Sequence, residues 1–319
     1  MREGEAPLKR PRSLTSAAAA ALCAAAAAGC GVGPGEDQGS VDLQVTRDYG
    51  AVEMVNAAPS IAESDTVMRV LDGQAVVETR YGGGFVQSID GLSGGQRDGR
   101  RSDWFFYVNG IESPVGSADM DVSDGDRIWW DHHDWTTSMR NPAVVGSWPE
   151  PFVHGFEGRD WSTGIYCGGA REACARVDRA LTAQGVSTGS EPGPEDDRAG
   201  ADGEIRVLVG PWQRLSSDPV ARLLAGGPQR SGVFATFSGV EPSVGLTLLD
   251  DHGRVAETLS AGAGLIAALR PDEGPPTWVV TGTDARGVAA AVGAFGEPLR
   301  NRFALAAVEN EGTLGVPVP

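Results

Sequence analysis

The sequence predicts an α+β molecule, in which a small sheet carrying one helix, over residues 40–135, is followed by an α/β segment over residues 163–319. Three observations predict it. Val41, Leu43 and Val45 alternate with Asp42, Gln44 and Thr46 at the period-two spacing of a half-buried strand. Thr66, Val67, Val70 and Leu71 recur at helical spacing. Beyond residue 163, short apolar runs such as 205–209 and 278–281 alternate with helical stretches, which is the pattern of strands and covering helices.

In order along the first part, the strand at 41–46 leads to the helix, with Ser64 or Asp65 expected as its cap. Phe85, Val86, Ile89 and Leu92 accompany the turn Asp90-Gly91, and residues 104–108 read as an aromatic strand ending in Asn109-Gly110. The last strand, Ile128-Trp129-Trp130, leaves the acidic turn Ser123-Asp124-Gly125-Asp126. Residues 136–162 read as an ordered connector containing Pro142, Pro149 and Pro151, whose Trp148, Phe152 and Phe156 are available to pack between the two parts. In the second part, strands are expected at 165–166, 205–209, 233–237, 246–249, 278–281 and 303–308, with helices at 173–184, 219–224, 264–269 and 284–295. Residues 187–203 form a polar Gly/Pro/acid loop.

The amino terminus carries Arg2, Lys9, Arg10 and Arg12, followed by an alanine-rich apolar run over 17–28, the order of a secretory signal peptide. A run of about 12 apolar residues is too short to span a bilayer, which takes roughly 20. Ala27-Ala28-Gly29-Cys30 resembles the lipobox of bacterial lipoproteins, although Ala27 stands where that family usually has Leu. The resemblance implies a signal over 1–29, a lipid on Cys30 and a flexible tether over 30–39. Two acyl chains at about 0.8 kcal/mol per buried CH2 suffice for stable anchoring. The expected address is the outer face of the cytoplasmic membrane, with a plainly secreted protein as the alternative.

The net charge of −17 becomes about −19 once a signal with four basic and two acidic residues is removed, which disfavours nucleic acid and anionic headgroups as partners. Lys9 is the chain's one lysine, so a mature body has neither a Schiff-base nor a P-loop lysine. Cys167 and Cys174 remain as an even pair in an oxidising compartment and are expected to form a disulfide. A zinc pair is the weaker reading, because no His or Cys partners stand at ligand spacing nearby.

The segment Gly84-Phe85-Val86-Gln87-Ser88-Ile89-Asp90-Gly91, then Trp104-Phe105-Phe106-Tyr107-Val108-Asn109-Gly110, then Gly125-Asp126-Arg127-Ile128, resembles the transcobalamin-like C-terminal domain, of the DUF4430 type. That resemblance implies a β-grasp, ligand-binding module over about residues 40–135 and makes a cobalamin-like ligand one candidate. The large helical barrel that completes the cleft in animal cobalamin carriers has no counterpart in this chain. Residues 163–319 resemble no family as a whole. Cys167 to Gly185 followed by Arg206 to Trp212, ending in Gly-Pro-Trp, faintly resembles the repeat of peptidoglycan-binding sporulation-related domains.

The densest chemistry is Trp129-Trp130-Asp131-His132-His133-Asp134-Trp135. Neighbours on a strand point to opposite faces, so His132 and His133 are not expected to share a metal, and a surface cluster ending the strand is the plainer reading. Phe85, Trp104, Tyr107 and Trp130 are the candidate ligand-contacting residues, since rings supply rigid apolar area, although in so small a domain about half of the rings must be core. Gly82-Gly83-Gly84 suits either backbone approach to a ligand or a turn, and Asp284 suits a plain helix N-cap. No nucleophile elbow, Walker loop, zinc-protease motif or dinucleotide fingerprint is present. The expectation is a non-catalytic, membrane-anchored protein without a resident cofactor that captures a small molecule or docks to a transporter of an uptake system. The alternative is an envelope module that binds peptidoglycan or a surface protein.

Overall fold

Leu43 and Val45 turn into one core while Gln44 and Thr46 turn the other way, and both sides of their strand prove to be covered. The computed structural model describes residue 1 and residues 37–80, 84–191, 203–239 and 243–319, and residues Glu36–Pro319 form one compact unit. Cys30, the signal and most of the tether lie outside the described residues, as do Gly82, Gly83 and residues 192–202 of the polar loop.

The first sheet runs in the order Ile111–Glu112, Arg100–Val108, Arg127–Asp134, Asp42–Arg47 and Val52–Ala57, and Gly95–Arg97 pairs with Arg100–Val108. Its central strand, Arg127–Asp134, is antiparallel to Arg100–Val108 and parallel to Asp42–Arg47. The helix Val67–Asp72 is capped by Thr66, whose hydroxyl accepts from the Arg69 amide, in place of Ser64 or Asp65. Val67, Val70 and Leu71 pack with Leu43, Trp104, Ile128 and Trp130 on one face of this sheet.

The second sheet has the order Thr188–Glu191, Ser162–Cys167, Glu204–Pro211, Thr277–Gly282, Ala263–Leu269, Ala304–Val308 and Gly312–Val316. The first four strands are parallel and the remainder antiparallel, so the molecule is of mixed α+β type. Helices Arg171–Thr182 and Ala285–Gly293 cover one face through Val177, Leu181, Val288 and Ala291. Asp284 caps the second helix by accepting from the Gly287 amide, as its position at a strand-to-helix junction suggests. Cys167 and Cys174 are disulfide-bonded and tie the end of a strand to the first turn of the helix that follows it.

Two expected helices are corrected. Residues 264–269 lie within the strand Ala263–Leu269, buried at every position. A short run buried on both faces has no polar phase, and periodicity cannot separate it from a buried helix. Residues 219–224 contribute to a 3-10 helix, Ala221–Gly226, which ends at Gly227 with positive φ.

The open face of the second sheet packs against the first sheet and against the three-stranded sheet of Ala235–Ser238, Gly245–Leu249 and Val255–Leu259. One core therefore joins Tyr107 and Trp129 from the first sheet to Phe234, Leu208 and Phe303. The connector is buried as well: Trp148 and Phe152 enter the helix-covered core beside Phe295 and Trp278, while Phe156 enters the first. Among the described residues no helix is long and apolar enough to cross a membrane.

Candidate functional site

The site forms where the central strand of the first sheet ends at the seam between the sheets. Asp131 is fully buried there, and a buried carboxylate is tolerated only with hydrogen-bond partners. It has four. The Thr46 hydroxyl donates to it at 2.5 Å, the amides of Tyr49 and Gly50 donate at 3.1 and 2.8 Å, and His133 Nδ1 lies at 2.8 Å. Thr46 in turn accepts from the Trp129 indole at 2.7 Å.

These bonds account for an unusual turn. Asp48, Tyr49 and Gly50 all have positive φ, a region that costs a tyrosine energy and persists when surrounding contacts over-determine it. The two amides held by Asp131 supply that constraint. The turn presses the Tyr49 ring onto His133 at 4.5 Å, and Phe105 stacks on the other side of the imidazole at 4.5 Å. Tyr49 also donates its hydroxyl to the Asp134 carbonyl at 2.5 Å. Burial, reinforced by the charges of Asp131, Asp251 and Asp134, pushes that hydroxyl's pKa far up and keeps it protonated.

His132 faces the other way, edge-on to Trp104, and burial lowers its pKa against the pull of Asp131 and of the Ser93 backbone. The two histidines occupy opposite faces as strand alternation requires. The described residues contain no group of three or more His, Cys, Asp or Glu able to hold a metal ion. The reading of this stretch as a surface cluster is corrected, because Asp131, His132 and His133 are all buried. The strand continues to Asp134, and the second part of the chain covers its end.

Beside these residues opens a groove of about 810 Å³. One wall is charged. Arg100 bonds Asp134 at 2.6 Å and Asp251 at 2.7 Å and also meets His252, so the first sheet is tied to the hairpin of the three-stranded sheet. Burial alone would raise the Asp134 carboxyl, but hydrogen bonds from Arg100 and Thr136 outweigh it and hold the group below the usual carboxylate range. The other wall, Leu314, Pro317 and Val318, is apolar, and Arg302 lies between. A second cavity of similar volume lies near Glu112, Arg140 and Arg270. There Arg140 already pairs with Glu112, and Arg270 donates to the Glu273 and Gly274 carbonyls.

The four ring residues expected to contact a ligand do not converge. Trp104 and Trp130 lie in the helix-covered core of the first sheet, Tyr107 is fully buried in the core between the sheets, and Phe85 is half-exposed at the start of Phe85–Ile89. Alternation sorts the rings of Arg100–Val108 onto two covered faces, burying Trp104 and Tyr107 and leaving Phe105 and Phe106 partly exposed. The residues that do line the groove beside His133, above all Tyr49 and Arg302, were invisible to motif reading. Arg302 has no local sequence signal and arrives from the far end of the chain.

A search of curated proteins finds no match. A solved protein from Ruminococcus gnavus ATCC 29149, described provisionally as a metal binding protein, is similar over 30% of this chain and 97% of its own length, at 15% identity and a TM-score of 0.24. Residues 64–134, from just before the first helix to the end of the Arg127–Asp134 strand, match the family DUF4430, a domain of unknown function.

Proposed function

We propose that this chain is a lipid-anchored, extracytoplasmic binding protein, non-catalytic, whose β-grasp-like first part and C-terminal strands together hold a small molecule in the seam groove. The observation that carries the reading is the groove itself: about 810 Å³, open at the end of a DUF4430 strand, with one charged and one apolar wall. Small-molecule sites have this size and mixture, and they form preferentially where two structural parts meet. The Cys167–Cys174 disulfide supports an oxidising compartment, in keeping with a signal over 1–29 and a lipid on Cys30. Asp131 and His133 act as framework in this reading, since the carboxylate is saturated by the turn it organises. Cargo such as a cobalamin-like cofactor would be passed to an uptake system.

The test is native mass spectrometry of the full chain extracted from its own membranes. A small molecule should co-purify, and Ala51→Trp, which places an indole in the groove from an exposed position, should abolish its retention. Equal retention by that variant, or a chain that carries nothing and binds no cofactor offered to it, would overturn the proposal.

A further inference from the structure

Two arginines of the groove have no carboxylate within ion-pair distance among the described residues. Among the described residues every other Asp or Arg lining the groove but one is matched: Asp48 pairs with Arg47, and Arg100 pairs with Asp134 and Asp251, leaving Asp98 at an exposed turn tip. Arg97 and Arg302 meet no carboxylate within ion-pair distance among the described residues.

Both are placed there by the backbone. Arg97 stands directly opposite Arg100 across the Asp98-Gly99 turn, whose two residues have positive φ, so both side chains leave the same face of the hairpin. Like charges so placed repel, and Arg100 is relieved by its two carboxylates while Arg97 is not. Arg302 is half-buried, and close glycines border it and the preceding Asn301. A Cβ on Gly315 would lie 2.9 Å from its Nη1, a Cβ on Gly146 would lie 2.8 Å from its backbone N and O, and a Cβ on Gly50 would lie 2.2 Å from the Asn301 carbonyl oxygen. The Arg302 side chain thus passes close to Gly315 of the Gly312–Val316 strand, whose Leu314 is exposed.

Resting on the groove being the ligand site, we infer that its ligand is an organic anion, bearing a carboxylate or phosphate on an apolar body. Arg302 and Arg97 receive the charge, and Tyr49, Leu314, Pro317 and Val318 receive the apolar part. A guanidinium presents its donors as a planar fork that fits such groups bidentately, and a partly desolvated cation without a partner gains most from one. This assigns a ligand class that an acidic protein of net charge −17 would not suggest.

The test is isothermal titration of the full chain with 2-naphthoate and with neutral 2-naphthylmethanol, which match in size and differ in charge. Naphthoate should bind more tightly. Arg302→Gln should weaken it at least about tenfold, equivalent to about 1.4 kcal/mol. Arg97→Gln, at an exposed position that folding does not need, should weaken it in the same direction. Gly315→Ala should weaken it while keeping both cations. Naphthoate affinity unchanged in the Arg97 and Arg302 variants, or naphthylmethanol binding as tightly, would overturn the anion assignment and leave the groove standing. Binding of neither probe would remove the groove as well.

Discussion

Asp131 shows how one residue sets the geometry of the site. It sits on a strand between Trp130, which faces the helix, and His132, and its own side chain enters the core shared by the two sheets. Three donors and the imidazole surround it there, and those bonds fix both the left-handed turn and the ring stack on His133. Replacing Asp131 by Ala leaves buried donors without an acceptor. We expect a loss of about 3 kcal/mol in unfolding free energy, measured by urea denaturation, with weaker ring packing in the near-UV circular dichroism. A loss near that of an exposed substitution, below about 0.5 kcal/mol, would show that the turn holds itself.

At the scale of elements, the Arg100–Val108 and Arg127–Asp134 strands read as continuous aromatic and polar runs because each lies between two covered faces. The same condition disguised Ala263–Leu269 as a helix. The disulfide acts within one strand-to-helix unit: Cys167 ends Ser162–Cys167 and Cys174 belongs to Arg171–Thr182, seven residues further on. A closed loop of that size corresponds to about 2.5 kcal/mol of restricted unfolded-chain entropy. The double variant Cys167→Ser, Cys174→Ser should lose about that much in urea, with far-UV circular dichroism unchanged because Val177 and Leu181 still pack the helix. Loss of helical signal in the native baseline would mean that the bridge, rather than packing, holds the helix.

For the molecule as a whole, the two sheets share a core, and their seam is closed at both ends by charge. Arg100 joins Asp134 of the first sheet to Asp251 in the hairpin of the three-stranded sheet at one end, and Asp42 accepts from Arg300 and pairs with Arg127 at the other. Unfolding should accordingly be one cooperative transition, with coincident curves from tryptophan fluorescence and far-UV circular dichroism. Gly146→Ala tests the seam directly, because its Cβ would fall 2.5 Å from the Trp129 ring and 2.8 Å from the Arg302 backbone. Overpacking of this kind should cost about 2 kcal/mol and still leave a single transition. Two separated transitions in the unmodified chain would contradict a shared core.

Local and short-range features were legible in the sequence: the α+β class, the first helix, the DUF4430 segment, the disulfide pair, the Asp284 cap and the opposite facing of His132 and His133. Most depend on spacing within one element or on residues a few positions apart, and the DUF4430 segment on three short motifs in sequence order. The burial of Asp131 and His133, the dispersal of Trp104, Tyr107 and Trp130 into two cores, and the groove itself were decided by tertiary structure. The reason is that period-two alternation tells which side chains share a face but not what covers that face. Here the cover for one face of the first sheet comes from Phe234, Phe303 and the chain around Arg302, some 100 to 170 residues beyond the strand they bury.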